Sequence, residues 1–311
     1  MTRDRTGWLA AGALLLAVGC GGGGSDSLIQ GPPPPPGTIL FSSDWSTSTG
    51  TSDNALLDGG KQNPWSSRWG GNGSLTVVSA SGLGFPAGMT NVLRVTQYQQ
   101  DFDWVMANNR WSLPEIGHAL AFRVYLRNTV ADSEGDKGTV YSSHHPIEST
   151  GSAGSTGGGY YVWHIGSYND GTFPILFSMN NPAYPLNGWT FGAPQYSHGG
   201  RDYDPAPLDK NTTYRLEWKF TRTGTNRYSL SMRVYDQAGT QLYDDSSTYA
   251  WTGNGETLAS SGTNLNVDDR QMVDIRIGTN GGGWTFNAPQ YIYWGGFAVC
   301  ADDWCGPYTT S

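Results

Sequence analysis

An all-β domain of two packed antiparallel sheets is the fold class this sequence predicts, and three observations predict it. Apolar and polar residues alternate at period two along several stretches of the chain. Gly-, Asn-, Ser- and Thr-rich turns separate those stretches at short intervals. No segment carries a convincing helical period. Many short strands joined by such turns argue for a sandwich rather than for a mixed fold.

The strands follow in chain order. Residues 92–96 form the first clear one. Residues 118–127 alternate Leu120, Phe122, Val124 and Leu126 against Arg123, Tyr125 and Arg127. Residues 160–165 form another, with His164 on the opposite side from Tyr161, Trp163 and Ile165. The clearest is 213–221, where Tyr214, Leu216, Trp218 and Phe220 face one way and Arg215, Glu217 and Lys219 the other. After the turn Thr223-Gly224-Thr225-Asn226, residues 227–236 return with Tyr228, Leu230, Met232 and Val234 on the buried side. This pair is expected to be a hairpin with one wet face. Residues 273–277 and 291–299 complete the set.

On these residues the chain resembles a known superfamily. Tyr214-Arg215-Leu216-Glu217-Trp218, running on through Ser229 to Asp236, is similar to the central hairpin of the concanavalin A-like lectin/glucanase superfamily. Asp274-Ile275-Arg276-Ile277-Gly278 and Tyr293-Trp294-Gly295-Gly296-Phe297-Ala298-Val299 resemble its closing strand pair. The resemblance implies a jelly-roll sandwich from about Thr38 onward. Lectins, glycosidases, polysaccharide lyases and adhesive modules all use that fold, so it speaks to architecture more than activity.

The chain start predicts location. Arg3 and Arg5 precede an apolar stretch from Trp8 to Val18, in the form of a secretory signal. The stretch is shorter than the ~20 residues a membrane-spanning helix needs. Leu16-Ala17-Val18-Gly19-Cys20 resembles a bacterial lipobox, which implies cleavage before Cys20 and lipid on its thiol. Gly21 after that cysteine favours an outer membrane or the cell surface. Residues 1–19 are then signal, and 20–37 a Gly/Ser and polyproline tether. Residues 38–311 are one domain, with the lipid as its sole membrane contact.

Two cysteines remain, Cys300 and Cys305, and an exported chain is expected to join them. The formal charge is -8; removing Arg3, Asp4 and Arg5 with the signal takes away +1 and leaves -9. Such a balance argues against nucleic acid and gives no long-range attraction for polyanions.

Trp189-Thr190-Phe191-Gly192-Ala193-Pro194-Gln195-Tyr196 returns, one residue changed, as Trp284-Thr285-Phe286-Asn287-Ala288-Pro289-Gln290-Tyr291. The repeated unit either closes the same structural corner twice or presents the same flat apolar surface twice. The second alternative suits sugars, because a pyranose has an apolar face that an aromatic ring removes from water. Burying one such plate is worth roughly 2 kcal/mol before ordering costs. Binding of a neutral or weakly charged polysaccharide through Trp189, Phe191, Tyr196, Trp284, Phe286 and Tyr291 is therefore expected, with Gln195, Gln290 and Asn287 as hydrogen-bonding partners.

Two other function classes compete. The paired carboxylates of a jelly-roll glycoside hydrolase, Glu-x-Asp-x-x-Glu, are not completed after Glu134-Gly135-Asp136, where position 139 is Thr. A lyase acting by β-elimination on a uronate glycan needs a carboxylate neutraliser, a base and an acid. Arg123 serves as the first, His144 or His145 as the second and Tyr125 as the third, with His164 a further base candidate. The third class is an adhesive envelope module that binds protein. No cofactor is implied, although Asn169-Asp170-Gly171, Asp202-Tyr203-Asp204 and Asp268-Asp269 offer loop oxygens for a structural calcium. Turn residues bonding their own backbone are the plainer reading of these strings, and Asp302-Asp303 reads as solvated charge.

Overall fold

The computed structural model describes residues 34–47, 65, 67–69, 74–99, 102–108, 110–134, 147–150, 159–165, 170–173, 175–180, 208–225, 227–244, 251–253, 256–258, 263–266, 269–280 and 285–310. Its strands in chain order begin with β1 (Ile39–Ser43), β2 (Ser67–Trp69), β3 (Ser74–Ser79), β4 (Asn91–Gln99), β5 (Phe102–Asn108) and β6 (Ala119–Asn128). The middle of the chain supplies β7 (Ile147–Thr150), β8 (Gly159–Ile165), β9 (Thr172–Phe173), β10 (Ile175–Asn180) and β11 (Leu208–Asp209). Then come β12 (Thr213–Gly224), β13 (Arg227–Tyr235), β14 (Gln241–Asp244), β15 (Trp251–Gly253) and β16 (Glu256–Leu258). The last are β17 (Thr263–Asn266), β18 (Asp274–Asn280) and β19 (Thr285–Ala301).

The two-sheet prediction holds. One sheet runs β14-β13-β12-β6-β19-β4-β3, with β1 also on β19 and β17 also on β13. The other runs β10-β8-β7-β18-β5-β2. All the strand pairs are antiparallel, from β12 on β13 to β7 on β8. Short 3-10 turns at Asp132–Glu134 and Asp269–Val273 are the helical elements among the described residues. No helix there is long and apolar enough to cross a membrane.

The core lies where the alternation places it. Leu120, Phe122, Val124 and Leu126 of β6 meet Leu216, Trp218 and Phe220 of β12 and Val105, Ile275 and Ile277 of the second sheet. Phe122 stacks on Trp218 at 5.2 Å, a pair worth about 1 kcal/mol beyond its buried area. Trp45, Trp65, Phe41 and Phe297 close one end of this core, with Trp45 stacked on Trp65 at 5.8 Å. The Trp65 Nε1–H donates to Ser43 Oγ, so the indole is buried without a lost hydrogen bond.

The expected wet face of the β12–β13 hairpin is a correction. Arg215 and Glu217 are buried, Glu217 being 1% exposed. Residues 302–310 cross the outer side of the large sheet and cover them. Cys300 and Cys305 are joined by a disulfide that ties this strap to the end of β19. Asp302 is no solvated charge either: its Oδ1 accepts the Ala119 N–H and its Oδ2 meets His118 Nδ1 at 2.9 Å.

A second apolar cluster on the same outer side consists of Ala80, Met89, Val92 and Tyr125 with Leu83, Phe85, Tyr293 and Tyr308 around them. It needs glycine at one place. A Cβ on Gly295 would stand 2.6 Å from Met89 Sδ, and Gly296 beside it has φ +55°. The pairing of β19 with β6 is irregular there, between Gly295 and Ala298.

Candidate functional site

The outer face of the large sheet is a grid that the registers define, since directly opposed residues share a face. One row is Thr213, Arg127, Tyr293 and Arg94. The next is Tyr235, Arg215, Tyr125 and Gly295. Beyond it stand Arg233, Glu217, Arg123 and Ala298, then Ser231, Lys219, Ala121 and Cys300. Cations outnumber carboxylates heavily on these rows: Arg94, Arg123, Arg127, Arg215, Lys219 and Arg233 against Glu217.

Aromatic rings, more than carboxylates, hold these cations. The Arg215 guanidinium carbon lies 3.8 Å from the Tyr235 ring centroid, and that of Arg94 4.9 Å from Tyr291. Arg233 and Lys219 lie 4.1 and 4.8 Å from the Trp304 ring. Arg215 Nε stands 3.7 Å from Glu217 Oε1, outside hydrogen-bonding distance. Away from this face the pattern differs. Lys210 pairs with Asp132 at 2.8 Å and Arg222 with Asp269 at 2.7 Å.

A cleft of about 340 Å³ opens on this face. Tyr125, Arg215, Asp236, Gln237, Pro307 and Tyr308 line it, together with Phe85 and Pro86. Three segments meet there: the β3–β4 connection, the β13–β14 turn and the strap. The Tyr308 hydroxyl donates to Asp44 Oδ2 at 2.6 Å, and the Tyr308 N–H donates to the Tyr125 hydroxyl at 2.9 Å. Burial first, and then the Asp44 carboxylate, push the Tyr308 phenol well above its ordinary range. Glu217 is also pushed up, because burial outweighs the neighbouring Arg215, Arg123 and Arg233.

Arg123 is fixed by the fold. Its Nε donates to Gly296 O and its Nη1 to Gly306 O and Pro307 O. Burial lowers its pKa, and it is 4% exposed. It staples the strap to the sheet and offers no donor to the cleft from its Nε or Nη1. Tyr125, the predicted acid, does line the cleft. Arg215 stands beside it, and period-two alternation alone does not distinguish it from the other outward cations of the sheet.

The second copy of the repeated octapeptide belongs in part to the structure. Phe286 is 5% exposed and lies in the main core, so its ring is not a sugar platform. Gln290 is also 5% exposed: its Oε1 accepts the Ala131 N–H and its Nε2 donates to Ala288 O. The Ala288-Pro289 pair lies within β19, where the pairing with β4 is irregular between Thr285 and Gln290. Asn287 is exposed, its N–H held by Glu134 Oε2. Tyr291 is half-buried with Arg94 over its ring. Trp284 and the first copy, with Trp189, Phe191, Gln195 and Tyr196, lie outside the described residues, as do Cys20, His144 and His145. His164 stands in β8 opposite Leu176 of β10.

The calcium strings have structural roles where they are described. Asp170 Oδ1 accepts the N–H and hydroxyl of Thr172 in a local turn. Asp269 takes hydrogen bonds from Arg222 and Tyr228. Among the described residues no cluster of three His, Cys, Asp or Glu side chains could hold a metal.

No family model matches the chain, and no curated protein matches it. Solved structures of similar fold include the alginate lyase Aly36B, 16% identical, with 83% of this chain and 95% of that one covered and a TM-score of 0.43. The marine PL-14 alginate lyase from Aplysia kurodai is 11% identical over 84% of this chain and 98% of its own, at 0.45. An endo-β-1,4-glucuronan lyase from the fungus Trichoderma reesei is 11% identical over 85% and 95%, at 0.41. At such identities the likeness is one of architecture.

Proposed function

We propose that this protein recognises an anionic polysaccharide in the cleft between the strap and the β13–β14 turn, held to the cell envelope by lipid on Cys20. The observation that carries the reading is how Arg215 is held. An aromatic ring fixes a cation in place through its quadrupole without cancelling its charge. A carboxylate at hydrogen-bonding distance would cancel it. Arg215 is stacked on Tyr235 at a cleft wall, and its ion pair with Glu217 is long at 3.7 Å, which leaves its charge available to an anion. The half-buried Tyr308 ring, Pro307 and the Gln237 amide supply the apolar and hydrogen-bonding surfaces that a sugar ring requires.

The test is retention on immobilised polysaccharide, comparing a uronate polymer with a neutral hexose polymer. Retention on the uronate polymer alone is expected, falling as salt is raised. Arg215→Ala should weaken it roughly tenfold, the scale of one charge-assisted contact. Equal retention on the neutral polymer, or none on either, overturns the reading. Detergent-phase partitioning of wild type, lost in Cys20→Ser, checks the anchor.

A second reading, elimination catalysed at the same cleft, is favoured by one observation: the Tyr125 phenol and Arg215 share it. His144 or His145 would then take the C5 proton, and the C4–O bond would break as a C4=C5 double bond forms. Tyr125 would give its proton to the leaving oxygen, and Arg215 would neutralise the uronate carboxylate in place of Arg123. Ultraviolet absorbance from unsaturated chain ends, abolished by Tyr125→Phe, is the expected sign. A uronate polymer that stays intact leaves binding alone.

A further inference from the structure

Outward residues along β12 lead away from the cleft: Arg215 at its wall, then Glu217, then Lys219. Four residues of strand separate the first and last, about 13 Å. At the far end Lys219 Nζ lies 4.8 Å from the Trp304 ring centroid and the Arg233 guanidinium carbon 4.1 Å. Among the residues whose side chains are described, neither cation stands within salt-bridge distance of a carboxylate, Glu217 being the acidic neighbour in register with Arg233. Two cations gathered on one indole repel each other, and an anion between them relieves that repulsion.

The strap connects this point to the cleft. Trp304 is at one end of the stretch and Pro307 and Tyr308 at the other, with Gly306 between them. Gly306 has φ +67°, and a Cβ built on it would meet nothing within 4 Å. The strap is thus low and open to solvent where a bound chain would have to cross it.

We propose that Lys219, Arg233 and Trp304 form a second anion-binding station, which takes a carboxylate or sulfate of the same polysaccharide chain that occupies the Arg215 cleft. Lys219 and Arg233 make the ionic contacts; Trp304 is a positioning residue that holds both without neutralising them. This inference rests on the cleft being a polysaccharide site. Its consequence is a dependence on chain length, since a disaccharide fills the cleft and a longer chain reaches both stations.

The experiment is calorimetric titration of the intact protein with uronate oligosaccharides from disaccharide to octasaccharide, and in parallel with a sulfated series. Affinity of the wild type should rise about tenfold or more as the chain becomes long enough to span the stations. The double variant Lys219→Gln/Arg233→Gln should lose that rise and bind the disaccharide as before. Trp304→Phe should keep most of the rise, whereas Trp304→Ala should lose it. A rise confined to the sulfated series assigns the station to sulfate; a rise in the uronate series assigns it to carboxylate. If the double variant matches wild type at every length, or loses disaccharide binding equally, the second station is wrong while the cleft stands. If wild type binds neither series, both ideas fall.

Discussion

Phe286→Ala decides between the two meanings of the repeated octapeptide. The Phe286 ring is 5% exposed and packed within the main core. Truncating a buried Phe to Ala removes its transfer free energy and leaves a cavity, which together cost about 3–5 kcal/mol. For a domain of this size class each kcal/mol shifts Tm by about 2–4 °C, so a loss of about 8–16 °C is expected at the middle of that range. Its neighbour Asn287 is an internal control, being exposed and bonded to Glu134 through its backbone N–H, which the substitution keeps. Asn287→Ala should change stability by less than about 0.5 kcal/mol. Thermal melts followed by circular dichroism, with urea unfolding beside them, measure both variants. A Phe286→Ala protein that melts with wild type would refute the placement of this ring in the core. If it also lost polysaccharide retention, the stacking role would return.

Two further outcomes follow from the strap. Arg123→Met should destabilise the protein by about 3 kcal/mol, since three carbonyls lose a charged donor beneath a covered surface. Hydrogen exchange at the Tyr308 N–H, held by the Tyr125 hydroxyl, should then be faster than in wild type, and equal rates would show the staple to be idle. His118 has its pKa raised, first by its hydrogen bond to Asp302 and then by that carboxylate's charge. The contribution is therefore full below the unfolded-state pKa of histidine and fades as pH rises through the higher folded value. Because His118 is only partly buried, the effect on stability is small, so the measurement is an NMR titration of its ring protons. The midpoint should lie above that of an ordinary histidine and drop in Asp302→Asn; identical midpoints would dissociate the pair.

Several features of this protein are legible without coordinates. The period-two alternation along β6 and β12 assigns Leu120, Phe122, Leu216, Trp218 and Phe220 to one side, and they form the core. It does so because strand geometry sends successive side chains to opposite faces and water removal selects the apolar set. Alternation says that Arg215 and Glu217 share the other side, but not whether water reaches it. That is decided by residues 302–310, more than eighty positions later, folding across the sheet. Likewise, a net charge is a sum over the chain and hides its distribution. The cations gather on one face only after β4, β6, β12 and β13 lie side by side in the sheet.

The class of fold, the inward faces of the main strands and the paired character of the last two cysteines are readable from the linear chain. These depend on local periodicity and near neighbours, which a linear string records. Tertiary structure alone decided that Phe286 and Gln290 serve the fold, that Arg123 is a staple and that Arg215 stands at a cleft. Exposure and partnership depend on which distant segments cover a residue, and no local pattern carries that information.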